Sequence, residues 1–255
     1  MSKQKVDLSG RVVLVTGASA GLGKRFAEVL ASAGAAVVLV ARRVDAIEAL
    51  AGKIRAEGGR ALAIPLDLRD AESFATIFDR AEAEFGRVDS LVNAAAIPDA
   101  GYATKLSLDK INEVIDVDFR APFMLSAELA RRLIDAQSRG WIVNISSVAV
   151  VYYNSRAAAA LYSSIKAAIS RMTETLAIEW APYNINVNAI VPGMFTTEMT
   201  RDYLERVGDK ATNGFPRKRM GQPEYLDSTL LYLLDPDSHF VTGTCIIADD
   251  VQTPR

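Results

Sequence analysis

The feature that most constrains this chain is its alternation of short apolar, β-branched runs with longer amphipathic segments. "RVVLVTG" (11–17), "AVVLVAR" (36–42), "ALAIPLD" (61–67), "VDSLVNAA" (88–95), "WIVNISS" (141–147), "NINVNAIVPG" (184–193) and "GTCIIAD" (243–249) read as strands. Between them, segments 21–34, 44–59, 70–86, 106–140, 157–181 and 223–235 carry helical spacing, several with a Gly stop or an Asp start. The 106–140 helix contains Pro122 and is expected to bend there. Apolar residues run through the strands without polar alternation. That pattern suits a parallel sheet buried on both faces by its crossover helices. No repeat or linker divides the 255 residues, so one α/β domain spanning 1–255 is expected. Segment 194–222 breaks the rhythm: it is polar, follows a strand end, and reads as a lid over a site rather than a plain surface excursion.

Composition narrows the function. A formal net charge of -2 gives no basic surplus for nucleic acid. The longest apolar stretch, around "VLASAGAAVVLVA", is too short to span a bilayer, and "MSKQKVD" has no signal-peptide core. One cysteine, Cys245, cannot form an internal disulfide and suits a reducing compartment, so a cytoplasmic location is expected, without nucleic-acid or membrane partners. The single histidine, His239, reads as a loop residue. A His-based triad or multi-His metal centre is therefore hard to build, no metal is expected, and acid–base chemistry falls to Tyr, Lys, Asp or Glu.

"TGASAGLG" (16–23) lies between the first strand and the first helix. Gly17, Gly21 and Gly23 let the backbone turn tightly, and the helix N-terminus behind them suits a pyrophosphate. In open α/β sheets ligands bind beyond the carboxyl ends of the strands. Here those ends carry Thr16/Gly17, Ala41/Arg42, Asp67, Asn93, Ser146/Ser147 and Pro192/Gly193, which together outline one polar crevice. After the second strand stand Arg42 and Arg43 where an acidic residue would read a ribose 2′-hydroxyl; cations there favour the 2′-phosphate of NADP(H), and NAD(H) stays open. "YSSIK" (162–166) puts a phenol and an ammonium one helical turn apart on the same face, with Ser163 and Ser164 pointing elsewhere. With eight tyrosines in the chain, one such pair carries weight only in context.

That context is the ordered set "TGASAGLG", "LVNAAA", "IVNISS", "YSSIK", "NVNAIVPGMFTTEM" and "VTGT". Over nearly its whole length the chain resembles the short-chain dehydrogenase/reductase family. The resemblance implies a Rossmann-like, doubly wound domain with a mainly parallel seven-stranded sheet. It implies hydride transfer between NAD(P)(H) and a ketone or secondary alcohol. Tyr162 would be the general acid or base, Ser147 would hold the substrate oxygen, and Lys166 would bind the nicotinamide ribose and favour the phenolate. The cofactor set it implies is Gly17, Ser19, Gly21, Leu22 and Gly23; Arg42 and Arg43; Asp67 and Leu68, with Asp67 equally readable as a helix-start turn; Asn93, Ala94 and Ala95; Tyr162 and Lys166; and Pro192, Gly193 and Thr197. Val148, Val150, Tyr153, Met194 and Phe195 would border a small or medium, neutral substrate with an apolar flank, Val150 and Tyr153 being equally readable as core packing. Homotetramers or homodimers are usual in the family.

Three departures stand out. "NAAA" (93–96) replaces Asn-Asn-Ala-Gly and is expected to tighten that turn. Asp118, in "DVDFRAPF", replaces the usual Asn of the proton relay; it could pair with Lys166 yet oppose ionisation of the phenol, and joins the catalytic set. Ser147 and Tyr162 are fifteen residues apart, slightly more than usual, with the extra length in the loop holding Tyr152 and Tyr153. "NIS" (144–146) fits a glycosylation acceptor but falls in a buried strand. Arg156, Arg217, Lys218 and Arg219 keep an acidic substrate open, including a 3-oxoacyl-acyl-carrier-protein. The alternatives are a non-catalytic NADP-binding sensor or scaffold, and a methyltransferase, which leaves the Tyr–Lys pair without a purpose.

Overall fold

A computed structural model of the chain describes residues 6–98, 101–153 and 158–254. β1 (Val12–Thr16), β2 (Ala36–Ala41), β3 (Arg60–Pro65), β4 (Ser90–Asn93), β5 (Gly140–Ile145), β6 (Ile185–Pro192) and β7 (Cys245–Ala248) form one sheet in the order β3-β2-β1-β4-β5-β6-β7. All neighbouring strands run parallel. The chain steps outward from β1 to β3, then returns to place β4 on the other side of β1. The switch point therefore lies between β1 and β4, where the loops above the two strands diverge and leave a crevice. The seven expected strands are all present, within a residue or two of their read boundaries.

Strands β1 to β6 each feed two cores. Val13 and Val15 of β1 pack on one face and Val12 and Leu14 on the other, as a period of two requires. The first face is covered by α1 (Gly21–Ser32) and α2 (Val44–Ala56), which contribute Phe26, Leu30, Ile47 and Leu50. The second is covered by α3 (Phe74–Phe85), with α4 (Leu108–Ile115) leading into α5 (Ala121–Asp135), and by α6 (Ala160–Trp180). Phe78, Leu125, Leu129, Ile169 and Leu176 fill that side. α7 (Glu198–Val207) occupies the segment read as a lid, and α8 (Asp227–Leu234) returns to the first face with Leu230. Each such side chain taken fully out of water contributes about 1.5–3 kcal/mol, so the strand ends are held by a large common core. No helix among the described residues is long and apolar enough to cross a membrane.

The expected bent helix at 106–140 is two helices joined by a π-turn at Asp116–Arg120. The proline explains it. Pro122 has no N–H to donate to the carbonyl of Asp118, four residues earlier, so the α-helical ladder is broken there. The Ala121 N–H bonds the carbonyl of Asp116 instead, five residues back. The widened turn lets Asp118 face inward, where it is fully buried. The 93–96 turn, expected to be tightened by its alanines, has no positive φ, so an alanine fits there as well as a glycine.

The turn after β7 is strained. Asp250 (φ 52°) and Val251 (φ 61°) turn in the left-handed region just after β7, and Val251 is β-branched and exposed. That conformation costs on the order of 1–2 kcal/mol. Val251→Gly should therefore raise the thermal midpoint by about 2–4 °C; an unchanged or lower midpoint in scanning calorimetry would show the turn to be unstrained.

Candidate active site

The glycine turn after β1 is shaped by close approaches. Gly17 has φ +70°, and a Cβ on it would lie 2.7 Å from the Cα of Ala95. A Cβ on Gly23 would lie 2.4 Å from the Gly17 carbonyl oxygen. Thr16 Oγ1 accepts hydrogen bonds from the N–H groups of Ala94 and Ala95 at 3.1 and 3.2 Å, locking this turn to the one after β4. α1 starts at Gly21 with no side-chain cap and no acidic residue in its first turn. Its free N–H groups and positive dipole end are thus left for an anion. A glycine cradle, an uncapped helix start and the cations after β2 fit a dinucleotide.

On the far side of the switch point, β5 and α6 bring the reactive side chains together. Ser146 Oγ donates to the carbonyl of Lys166 at 2.9 Å and pairs with Ser170 at 2.8 Å, fixing α6 on the end of β5. Ser147 follows in extended backbone, and its Oγ accepts from the Ala149 N–H at 3.2 Å. Tyr162 and Lys166 share a face of α6, with the ammonium 5.3 Å from the phenol ring centroid. Lys166 is only 3 % exposed. Its Nζ donates to the Ile145 carbonyl at 3.1 Å and lies 3.6 Å from Asp118 Oδ2. Asp118 Oδ1 accepts from the Ile97 N–H at 2.8 Å, while Oδ2 has no hydrogen-bond partner. Burial pushes the Asp118 carboxyl above its ordinary range, against the pull of the Lys166 charge.

Ser163 and Ser164 are structural, as read: they donate to the carbonyls of Ala149 and Ala160 at 2.7 and 2.9 Å. Asn144 of the "NIS" motif is fully buried, and His239 is exposed.

The cofactor candidates divide. Arg42 is exposed and makes no hydrogen bond or ion pair among the described residues, whereas Arg43 reaches Ser19 and Glu198. Asp67 sits in a turn after β3. It accepts the Arg69 N–H at 3.0 Å and pairs with the Arg69 side chain, whose hydrogen bond holds the carboxyl below the usual range. Leu68 is buried in the second core, and Leu22 packs partly against the first. Asn93 turns inward rather than toward a ribose: its amide donates to Asn144 Oδ1 at 2.8 Å and Ser126 Oγ at 3.1 Å. Ala94 and Ala95 form the turn itself. Pro192 and Gly193 end β6, and Thr197 caps α7 while meeting the glycine turn, 3.4 Å from where a Gly21 Cβ would be.

Of the substrate candidates, Val148, Val150 and Met194 are half-buried at the crevice and Tyr153 is exposed. Phe195 is 6 % exposed and packs into the core against Gly221, so it anchors the segment instead of lining the crevice. Arg156 lies outside the described residues. Several participants escaped the sequence reading. Asn144 and Thr173 extend the Asn93 network at 3.0 Å. Gln252 clasps the Met194 peptide, accepting its N–H at 2.6 Å. Asn144 had one available signal, since it alternates with Ser146, already read at the strand end, and so shares its face toward α6; Gln252 had none.

The whole arrangement is that of a nucleotide-dependent carbonyl–alcohol oxidoreductase on a doubly wound sheet. The short chain dehydrogenase family model matches residues 11–208, and the chain belongs to that family. It is 35% identical over 246 residues to the 2-dehydro-3-deoxy-D-gluconate 5-dehydrogenase of Dickeya dadantii, covering 95% of each chain. It is 33% identical to the 3-oxoacyl-acyl-carrier-protein reductase of Aquifex aeolicus, covering 95% of this chain and 97% of that one. A solved short-chain dehydrogenase/reductase from Mycobacterium marinum superposes with a TM-score of 0.93 at 32% identity, over 98% of both chains. The chain is thus an enzyme of NAD(P)(H)-dependent interconversion of carbonyls and alcohols.

The raised Asp118 carboxyl has a measurable consequence. The folded protein holds that proton more tightly than the unfolded chain does, so its stabilising effect is complete below about pH 4 and is lost as pH rises through the raised value. Asp118→Asn has no such loss. The difference in thermal midpoint, variant minus parent, should widen in favour of the variant between about pH 4 and neutrality. A difference independent of pH would contradict the placement of a strained carboxyl beside Lys166.

Proposed function

We propose that this enzyme prefers NADP(H) and reduces small or medium neutral ketones, or oxidises the matching secondary alcohols, in the crevice between Ser147, Tyr162 and the segment after β6. The observation that carries the reading is the buried Lys166 ammonium one turn below Tyr162 and 5.3 Å from its ring. In reduction, the bound nicotinamide supplies the hydride. The Tyr162 O–H gives its proton to the substrate oxygen, and the Ser147 hydroxyl donates a hydrogen bond to the same oxygen. The phenolate left on Tyr162 is steadied by the Lys166 charge until solvent returns the proton. Oxidation runs the same steps backward, with Tyr162 as base.

The cofactor preference draws on Arg42, an exposed cation after β2 with no hydrogen bond or ion pair among the described residues, at the position where an acid would read a ribose 2′-hydroxyl. The neutral substrate draws on Arg217 and Arg219. Both are paired with Asp250, at 3.2 and 2.6 Å, and so are not waiting for a carboxylate or phosphate. The same pairing weighs against a 3-oxoacyl-acyl-carrier-protein substrate, which the Aquifex relative's name raises. The segment 194–222 acts as the lid, its α7 meeting the glycine turn through Thr197. Phe123 and Met124 on α5 and Ile178 on α6 are exposed and apolar, which supports assembly into homodimers or homotetramers. A cytoplasmic location rests on the lone cysteine.

A panel of cyclic, aromatic and aliphatic ketones assayed by NADPH consumption tests the activity. Tyr162→Phe should lower kcat by about 10²–10⁴-fold while NADPH still binds. Turnover that survives the substitution would remove Tyr162 from the proton transfer.

A further inference from the structure

The two arginines after β2 are not equivalent. Arg42 is exposed and carries no partner among the described residues. Each of the three Arg43 guanidinium nitrogens has a partner: Nε donates to Ser19 Oγ in the glycine turn at 3.2 Å, and its two terminal nitrogens donate to the two carboxylate oxygens of Glu198 at 3.3 and 2.9 Å. Glu198 is the first residue of α7, where the positive end of the helix favours a carboxylate. The contact joins residues 155 positions apart. It connects the strand end expected to carry the adenosine to the segment that covers the crevice.

We propose that Glu198 is a specificity-determining residue, whose carboxylate competes with the 2′-phosphate of NADP(H) for the donors of Arg43 and so limits the preference over NAD(H). This rests on the cofactor reading given above. A phosphate and a carboxylate ask for the same bidentate guanidinium edge. A ribose 2′-hydroxyl makes no such demand and can itself donate to a carboxylate. Members of this fold that choose NAD(H) place the discriminating acid at the end of the second strand. Here that position is cationic, and the acid comes across the crevice from α7. Its reach through Arg43 accounts for the hydrogen bond that holds the Glu198 carboxyl below its ordinary range. Both partners are about half exposed, so the effect is modest in size.

The test is a set of fluorescence titrations of full-length protein with NADPH and with NADH: parent, Glu198→Gln, Arg43→Ala and the double variant. Glu198→Gln should tighten NADPH by about two- to fivefold without tightening NADH. In the Arg43→Ala background the same change should have little effect on NADPH. Equal shifts for both cofactors, or a Glu198→Gln effect that persists in full without Arg43, would overturn the proposal while leaving the cofactor reading intact. A parent that binds neither nucleotide would overturn both.

Discussion

An ammonium group buried to 3 % exposure is the constraint on which this site is built. Lys166 is almost wholly withdrawn from bulk solvent, and a buried charge without partners is penalised by several kcal/mol. Three elements converge to meet it. The end of β5 offers the Ile145 carbonyl, the π-turn offers Asp118, and α6 brings the lysine itself, pinned through its own carbonyl by Ser146. Tyr162, one turn earlier on α6, is positioned by the same arrangement. So is the crevice it faces, because the Ile97 N–H ties the loop after β4 to Asp118.

The π-turn deserves its place in that chain of causes. Pro122 cannot complete the helical ladder, and the local widening lets Asp118 point at the lysine instead of along a regular helix. The acid there answers the question raised by its replacement of an amide. It lies 3.6 Å from the Lys166 ammonium, with its Oδ2 buried and without a hydrogen-bond partner. In the proposed mechanism Asp118 acts through Lys166, as a positioning residue for the cation beside Tyr162.

Much of this was legible in the chain. The parallel sheet followed from unbroken apolar strands, because each residue of β1 and β2 had to be buried on one face or the other. The glycine turn and the shared face of Tyr162 and Lys166 followed from local spacing, while Ser147 and the meaning of the pair came from the resemblance carried by the ordered motifs. What sequence could not show was direction over distance. Asn93 sits in the expected turn, but its amide nitrogen donates to Asn144 and Ser126, so it faces the core. Phe195 sits in the expected segment, but the small Gly221 opposite draws it inward. Arg43 with Glu198, and Gln252 with Met194, join residues far apart in the chain, and neither has any local signature.

The central claim is that the Lys166 charge acts on proton transfer at Tyr162. A single-turnover measurement tests it most directly, using protein saturated with NADPH so that cofactor affinity drops out. The variant is Lys166→Met combined with Asp118→Asn, which removes both buried charges and leaves neither alone. The account predicts a loss of at least about 100-fold in the rate of ketone reduction, in a protein that stays folded and loaded. A double variant that reduces ketone at the rate of the Asp118→Asn protein would contradict it.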